Sequence, residues 1–181
     1  MAVQPVLRLG DPRLRVRSAE LEAADFGSAR LVALVHDLRD TMAAAAGAGL
    51  AAPQIGVPLR VVLYGMDANP RYPDAPPIAE TLLVNPVITP VGDECELGWE
   101  GCLSVPGLRG QVTRWQTIRI AWQTIEGESR EQLVSGFHAR VVQHECDHLD
   151  GVLFPDGLSD SRAFGFIPEL QAAELIPAVP G

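Results

Sequence analysis

Near the C-terminal third of the 181-residue chain, QHECDHLDGVLF (Gln143 to Phe154) contains the spacing His-Glu-x-x-His. On an α-helix, residues four apart differ by only about 40° around the axis, so His144 and His148 stand one turn apart and can offer both imidazoles to a single ion. Glu145 borders the same face, where a carboxylate can take a proton from a water beside the ion without ligating it. Cys146 points roughly 200° away from His144 and reads as a small apolar residue of the core. The motif supplies two ligands and a base, whereas a catalytic centre needs a third ligand and one position left for water.

Three completions can be weighed. The extended form HExxHxxGxxH has its glycine at Gly151 but Phe154 in place of the last histidine, and a phenyl ring binds no metal. A downstream glutamate could serve: Glu169 and Glu174 lie about twenty residues on, although prolines interrupt any continuous supporting helix. Upstream, WEGCLSVPGLRG (Trp99 to Gly110) sets Cys102 between Gly101 and a turn, and a thiolate from there would complete a Cys-His-His set with the fourth position open. On the residues alone, the downstream glutamate and the upstream thiol both stand, and so does a metal-binding domain without turnover.

These side chains need elements to hold them. Gly136 to Leu149 lacks strand alternation, carries good helix formers and is stopped by Asp150-Gly151, so the metal motif is predicted to lie on a helix. From Ser28, Leu31, Leu34, Val35, Leu38 and Met42 recur at helical spacing, with Ser28 able to cap the start and Gly47 the end. Short strands are predicted at Arg60 to Tyr64 and Thr81 to Val84, with a Pro-rich loop, Asn69 to Pro77, between them. Val112 to Ile125 alternates, with Ile118, Ile120 and Trp122 on one face, before a hairpin turn at Glu126-Gly127 into Glu131 to Val134. Residues 155–181 carry Pro155, Pro168, Pro177 and Pro180 and are expected to form a loosely structured tail, apart from a short helix at Glu169 to Leu175. The fold class is α+β: a single domain over 1–181, with antiparallel strands around a C-terminal metal-binding helix.

Composition narrows the function. A formal net charge of -9, without a run of Arg or Lys, argues against direct nucleic-acid binding. Three unevenly placed cysteines make no disulfide framework and suit a reducing compartment. The N-terminal segment has no apolar signal core, and the run Ala43 to Ala46 is too short to span a bilayer, so no membrane association is expected.

Four stretches, VLRLGDPRLR (Val6 to Arg15), GAGLAAPQIG (Gly47 to Gly56), EGCLS (Glu100 to Ser104) and QHECDHLDG (Gln143 to Gly151), resemble the peptide deformylases over nearly the whole chain. The likeness is strongest to the subgroup that includes organellar and some bacterial enzymes. The resemblance implies removal of the formyl group from the N-terminal formyl-methionine of nascent polypeptides, with Fe2+ as the usual metal and zinc or nickel able to substitute. It implies Cys102, His144 and His148 as metal ligands, Glu145 as the acid/base that activates water on the metal, and Gln54 with the Leu103 backbone N–H as donors to the oxyanion. Gly49 corresponds to a backbone contact for a substrate bound as an extended strand, its missing side chain letting that strand approach. Phe137 and Val141 match positions lining the methionine pocket, and Arg109 an arginine near the substrate path. Nascent formyl-methionyl peptides are the implied partners, with transient proximity to the ribosome, yet no Lys or Arg follows Arg162 to build the basic docking helix of some members. The implied location is the bacterial cytoplasm or, for a mature organellar form, an organelle. A glutamate beside a metal ligand needs a partner of its own, and Glu100 is expected to pair with Arg114.

Overall fold

The computed structural model describes residues 2–67 and 75–177; residues 69–74 of the expected Pro-rich loop, and Pro180, lie outside them. Ser28 caps helix α1 (Ala29–Ala44), its Oγ accepting from the Leu31 N–H at 3.2 Å. The helix stops short of Gly47, and Ala46 itself takes a left-handed φ of 48°. The chain then enters β1 (Gly49–Ala51), a short 3-10 turn at Ala52–Ile55, and β2 (Val61–Met66). β2 has no polar alternation because it is buried on both faces: Val61 and Leu63 pack with Leu31, Leu34 and Leu38 of α1, while Val62 and Tyr64 face a second core.

Next come β3 (Ile78–Pro90), β4 (Cys95–Cys102), β5 (Val105–Trp115), β6 (Thr117–Gln123) and β7 (Ser129–Ser135), followed by helix α2 (Gly136–Leu149). Strands β1-β2-β3-β6-β7, in that order, form an antiparallel five-stranded sheet, and α2 lays Val142, Cys146 and Leu149 against its Val62, Ile118 and Ile120. α2 ends at the predicted place, with Asp150 as C-cap and Gly151 left-handed at φ 74°.

Two expectations are corrected. Val112 to Ile125 is not one strand: it breaks at Gln116, and β5 belongs with β4 in a separate three-stranded sheet completed by β8 (Phe164–Phe166), order β4-β5-β8. The pattern reads through because Val112 of β5 and Ile118 and Ile120 of β6, all at even positions, are buried in different cores. The second correction concerns the tail, whose described residues, 155–177, carry regular elements. Strand β8 (Phe164–Phe166) pairs with β5, helix α3 (Ile167–Ala172) follows, and Leu170 and Ile176 are buried. Pro155 and Pro168 sit in the first turns of a 3-10 segment (Phe154–Gly157) and of α3, where a missing N–H costs nothing, so they start helical turns instead of preventing them. No helix among the described residues is long and apolar enough to cross a membrane.

Candidate metal centre

Helix α2 brings His144 and His148 to one side with their ring centroids 5.2 Å apart, both buried. Cys102 closes β4, just past an irregularity in the β4–β5 register between Glu100 and Cys102, the kind of bulge that re-aims a side chain. Its Sγ lies 3.2 Å from His148 Nε2, and one ligand-type atom from each of Cys102, His144 and His148 falls within 4.8 Å of the others. Among the described residues no other set of three such side chains converges in this way. Glu169 and Glu174 are exposed and take no part, so the downstream glutamate is eliminated.

The donor set suits a divalent cation. Burial alone would raise the Cys102 thiol, but the charge of His148 and hydrogen bonds with both histidines overturn it and hold the thiol well below its usual range. Burial would likewise lower His144, and contact with Cys102 and Glu100 instead raises it well above normal. The protein alone thus favours a thiolate beside a protonated His144, which is the charge arrangement a cation can take over. His144 Nδ1 lies 2.8 Å from Glu100 Oε2, so Nδ1 donates there and Nε2 is left for an ion.

Glu100 is 3% exposed and fully engaged. Arg114 donates from Nε (2.8 Å) and Nη2 (3.0 Å) to its two oxygens, as expected, and Arg140 Nη1 adds a second cation at 3.0 Å. Although burial opposes it, the hydrogen bond with His144 and the pair with Arg114 hold the carboxyl far below the usual carboxylate range. Arg114 also reaches Asp147 Oδ2 at 2.6 Å, tying β5 to α2.

Glu145 is 6% exposed, and its Oε2 has no hydrogen-bond partner among protein atoms. Burial pushes its pKa up to about 7; His144 and His148 oppose the rise, while Cys102 and Glu100 add to it. Gln54 is held by its own turn: Oε1 accepts the Ala51 N–H at 2.8 Å, so Nε2 must point to Ser104 Oγ (3.1 Å) and Cys102 Sγ (3.5 Å). Leu103 occupies the tight turn from β4 to β5, directly after the thiol.

A small cleft opens over this cluster, lined by Gly49, Gln54, Cys102, Leu103, Glu145 and, on the α2 side, Phe137 and Val141. Gly49 has a second reason to lack a side chain: a Cβ there would lie 2.5 Å from Glu145 Oε1 and 2.7 Å from its Cγ. Arg109 is not among the lining residues; it lies buried on β5 opposite Gly165 of β8. Cys146 is buried in the core behind the helix, and that burial pushes its thiol up. Four lining or contacting residues carry no role in the sequence pattern: Ala48, Trp99, Ser104 and Arg140. Arg140 did carry a signal, a charge four residues before His144 on a face that is otherwise buried.

An HExxH helix joined by a thiol from a neighbouring hairpin, on a two-sheet α+β scaffold, defines a metal-dependent hydrolase centre. Residues 3–163 match the family described as polypeptide deformylase, and the chain belongs to that family, whose enzymes remove the formyl group from the N-terminal formyl-methionine of nascent polypeptides. It is 57% identical to peptide deformylase 1 of Prochlorococcus marinus over 97% of this chain and 91% of that one. Peptide deformylase 1 of Nitrosomonas europaea is 49% identical over 96% of this chain and 98% of that one. Among solved structures, a class I type b peptide deformylase from Acinetobacter baumannii with Met-Ala-Ser bound superposes with a TM-score of 0.84 at 41% identity, covering 87% of this chain and 99% of that one. The enzyme from Thermotoga maritima gives 0.76 at 31%, covering 88% and 100%.

Proposed function

We propose that Cys102, His144 and His148 hold Fe2+, replaceable by zinc or nickel, and that the cleft above them takes the formyl-methionyl end of nascent peptides in the bacterial cytoplasm. The convergence of the Cys102 thiol on the two histidines, with Glu145 on one side and the Gln54 amide on the other, carries this reading. A divalent ion bound there supplies a Lewis acid and lowers the pKa of water.

Glu145, buried in the cleft wall with one oxygen that has no protein partner, takes the proton of the attacking water and returns it to the departing amine. The Gln54 Nε2–H, held in place by the Ala51 N–H, and the Leu103 backbone N–H donate to the oxygen that gains charge as the formyl carbon becomes tetrahedral. Phe137 and Val141 supply the apolar wall for the methionine side chain. The Acinetobacter enzyme's hold on Met-Ala-Ser supports a methionine-first peptide as the occupant here. With Arg109 outside the cleft lining, no substrate contact is assigned to it. The net charge of -9 favours brief encounters near the ribosome over stable docking on its RNA.

The test is formate release from formyl-Met peptides by protein loaded anaerobically with Fe2+, beside Glu145→Gln and Cys102→Ala. Release by the parent chain, with strong loss in both variants, supports the assignment. Full activity in Glu145→Gln, or tight metal binding in Cys102→Ala, overturns it.

A further inference from the structure

The centre straddles two sheets. Its thiol comes from the β4–β5 hairpin of the small sheet, and its histidines come from α2, which packs on the large one. Whatever ties that hairpin to α2 therefore sets the distance from sulfur to nitrogen. Gln143 makes one tie, its amide bridging the N–H (3.0 Å) and C=O (2.9 Å) of Trp115 at the far end of β5, and Arg114 with Asp147 makes another.

Arg140 makes a third, and it engages both strands of the hairpin. It stands on α2 one turn before His144, 7% exposed. Its Nη2 donates to the Glu96 carbonyl at 2.7 Å, and its Nη1 donates to the Val112 carbonyl at 2.9 Å and to Glu100 Oε1 at 3.0 Å, with the Gly98 carbonyl at 3.4 Å. One planar fork thus reaches the backbone of both hairpin strands and the carboxylate that accepts from His144. A single ammonium could not span them.

The sequence makes room for this fork at Gly98. A Cβ there would lie 2.8 Å from Arg140 Cζ and Nη2 and 3.0 Å from Nε. Gly98 is not among the glycines with left-handed φ, so its requirement is space and not backbone conformation. It sits four residues before Cys102 on the same strand.

We propose that Arg140 is a positioning residue for the metal centre and Gly98 its seat: the guanidinium, laid against the bare face of Gly98, fixes where Cys102 stands relative to His144 and His148 and keeps Glu100 on His144 Nδ1. The proposal rests on Cys102, His144 and His148 being the ligands. Its test uses no substrate, so it is separable from the deformylase assignment.

The full chain, as wild type, Arg140→Met, Arg140→Lys, Gly98→Ala and Cys102→Ala, is loaded with Co2+. Two quantities are read: the visible thiolate and d–d bands, and the rate of Co2+ loss to excess chelator. Loss of an outer partner of this kind costs about 10–100-fold in metal affinity, so Arg140→Met and Gly98→Ala should release Co2+ faster by that order, with shifted bands. Arg140→Lys, which restores the counter-charge without the span, should recover only part of it. Gly98→Ala keeps every charge and decides the matter if Arg140→Met does not fold. Lower melting temperatures with unchanged bands and wild-type release rates would mean that the pair merely stabilises the fold, and would overturn the proposal. Cys102→Ala that keeps the parent's bands shows instead that the ligand assignment has failed.

Discussion

Replacing Gly49 with alanine separates two reasons for a glycine at that position. If the residue serves only through its backbone, as a rail for an extended substrate, alanine keeps both the N–H and the C=O and perturbs KM alone. The structure points elsewhere. A Cβ at Gly49 would sit 2.5 Å from Glu145 Oε1, 2.6 Å from Cδ and 2.7 Å from Cγ. Because Cγ is included, rotating the carboxylate about its last bond brings no relief, and the whole side chain must swing. β1 cannot yield easily, since Gly49 is paired with Tyr64 in the buried β2. A shift near 1 Å in a catalytic group costs on the order of 10²-fold, or about 2.7 kcal/mol of transition-state stabilisation. Gly49→Ala should therefore lower kcat about 100-fold, with metal content and KM close to those of the parent. Steady-state formate release over a range of formyl-Met-Ala-Ser concentrations, beside metal analysis of the same samples, measures both. A kcat within about threefold of the parent, at full metal occupancy, would refute the reasoning.

Three other outcomes follow from the same geometry. Gln54→Leu removes an oriented donor while keeping the volume, and should cost about 10²–10³-fold in kcat with little change in metal binding, read by the same formate assay. Glu100→Gln leaves Arg114 and Arg140 buried without their shared counter-charge, and should destabilise the protein by about 3–5 kcal/mol in urea unfolding. In metal-free protein, Glu145 has a folded pKa raised to about 7 from an ordinary 4.5. The fold then binds the proton more tightly than the unfolded chain does, so stability is lost as pH rises from about 4.5 to about 7, by an amount on the order of 3 kcal/mol. Glu145→Gln should abolish that slope: its unfolding midpoint should match the parent's near pH 4.5 and exceed it at pH 8.

The local parts of the site were legible because their signals are local. Helix α2 ends where Asp150-Gly151 said it would, and α1 begins at Ser28. The four-residue spacing of His144 and His148 needs only helix geometry to become a two-ligand face. Cys102 was readable as one of two candidates for the third ligand, and the likeness of GAGLAAPQIG, EGCLS and QHECDHLDG to one family marked it. The tail was less legible because proline signals a breaker in sequence, whereas Pro155 and Pro168 stand in first turns. The unbroken alternation of Val112 to Ile125 concealed a change of sheet at Gln116.

By itself, then, the sequence determined the chemistry on offer: two imidazoles, a thiol, a carboxylate and an amide, each on a segment whose local conformation its own residues dictate. Tertiary structure alone decided their distances. Cys102 lies 42 positions before His144 and 46 before His148, and those gaps are closed by strand register and by packing between two sheets, which no local pattern encodes. That Glu145 fills the space beside Gly49, and Arg140 the space beside Gly98, was equally invisible, because those neighbours are set by the fold.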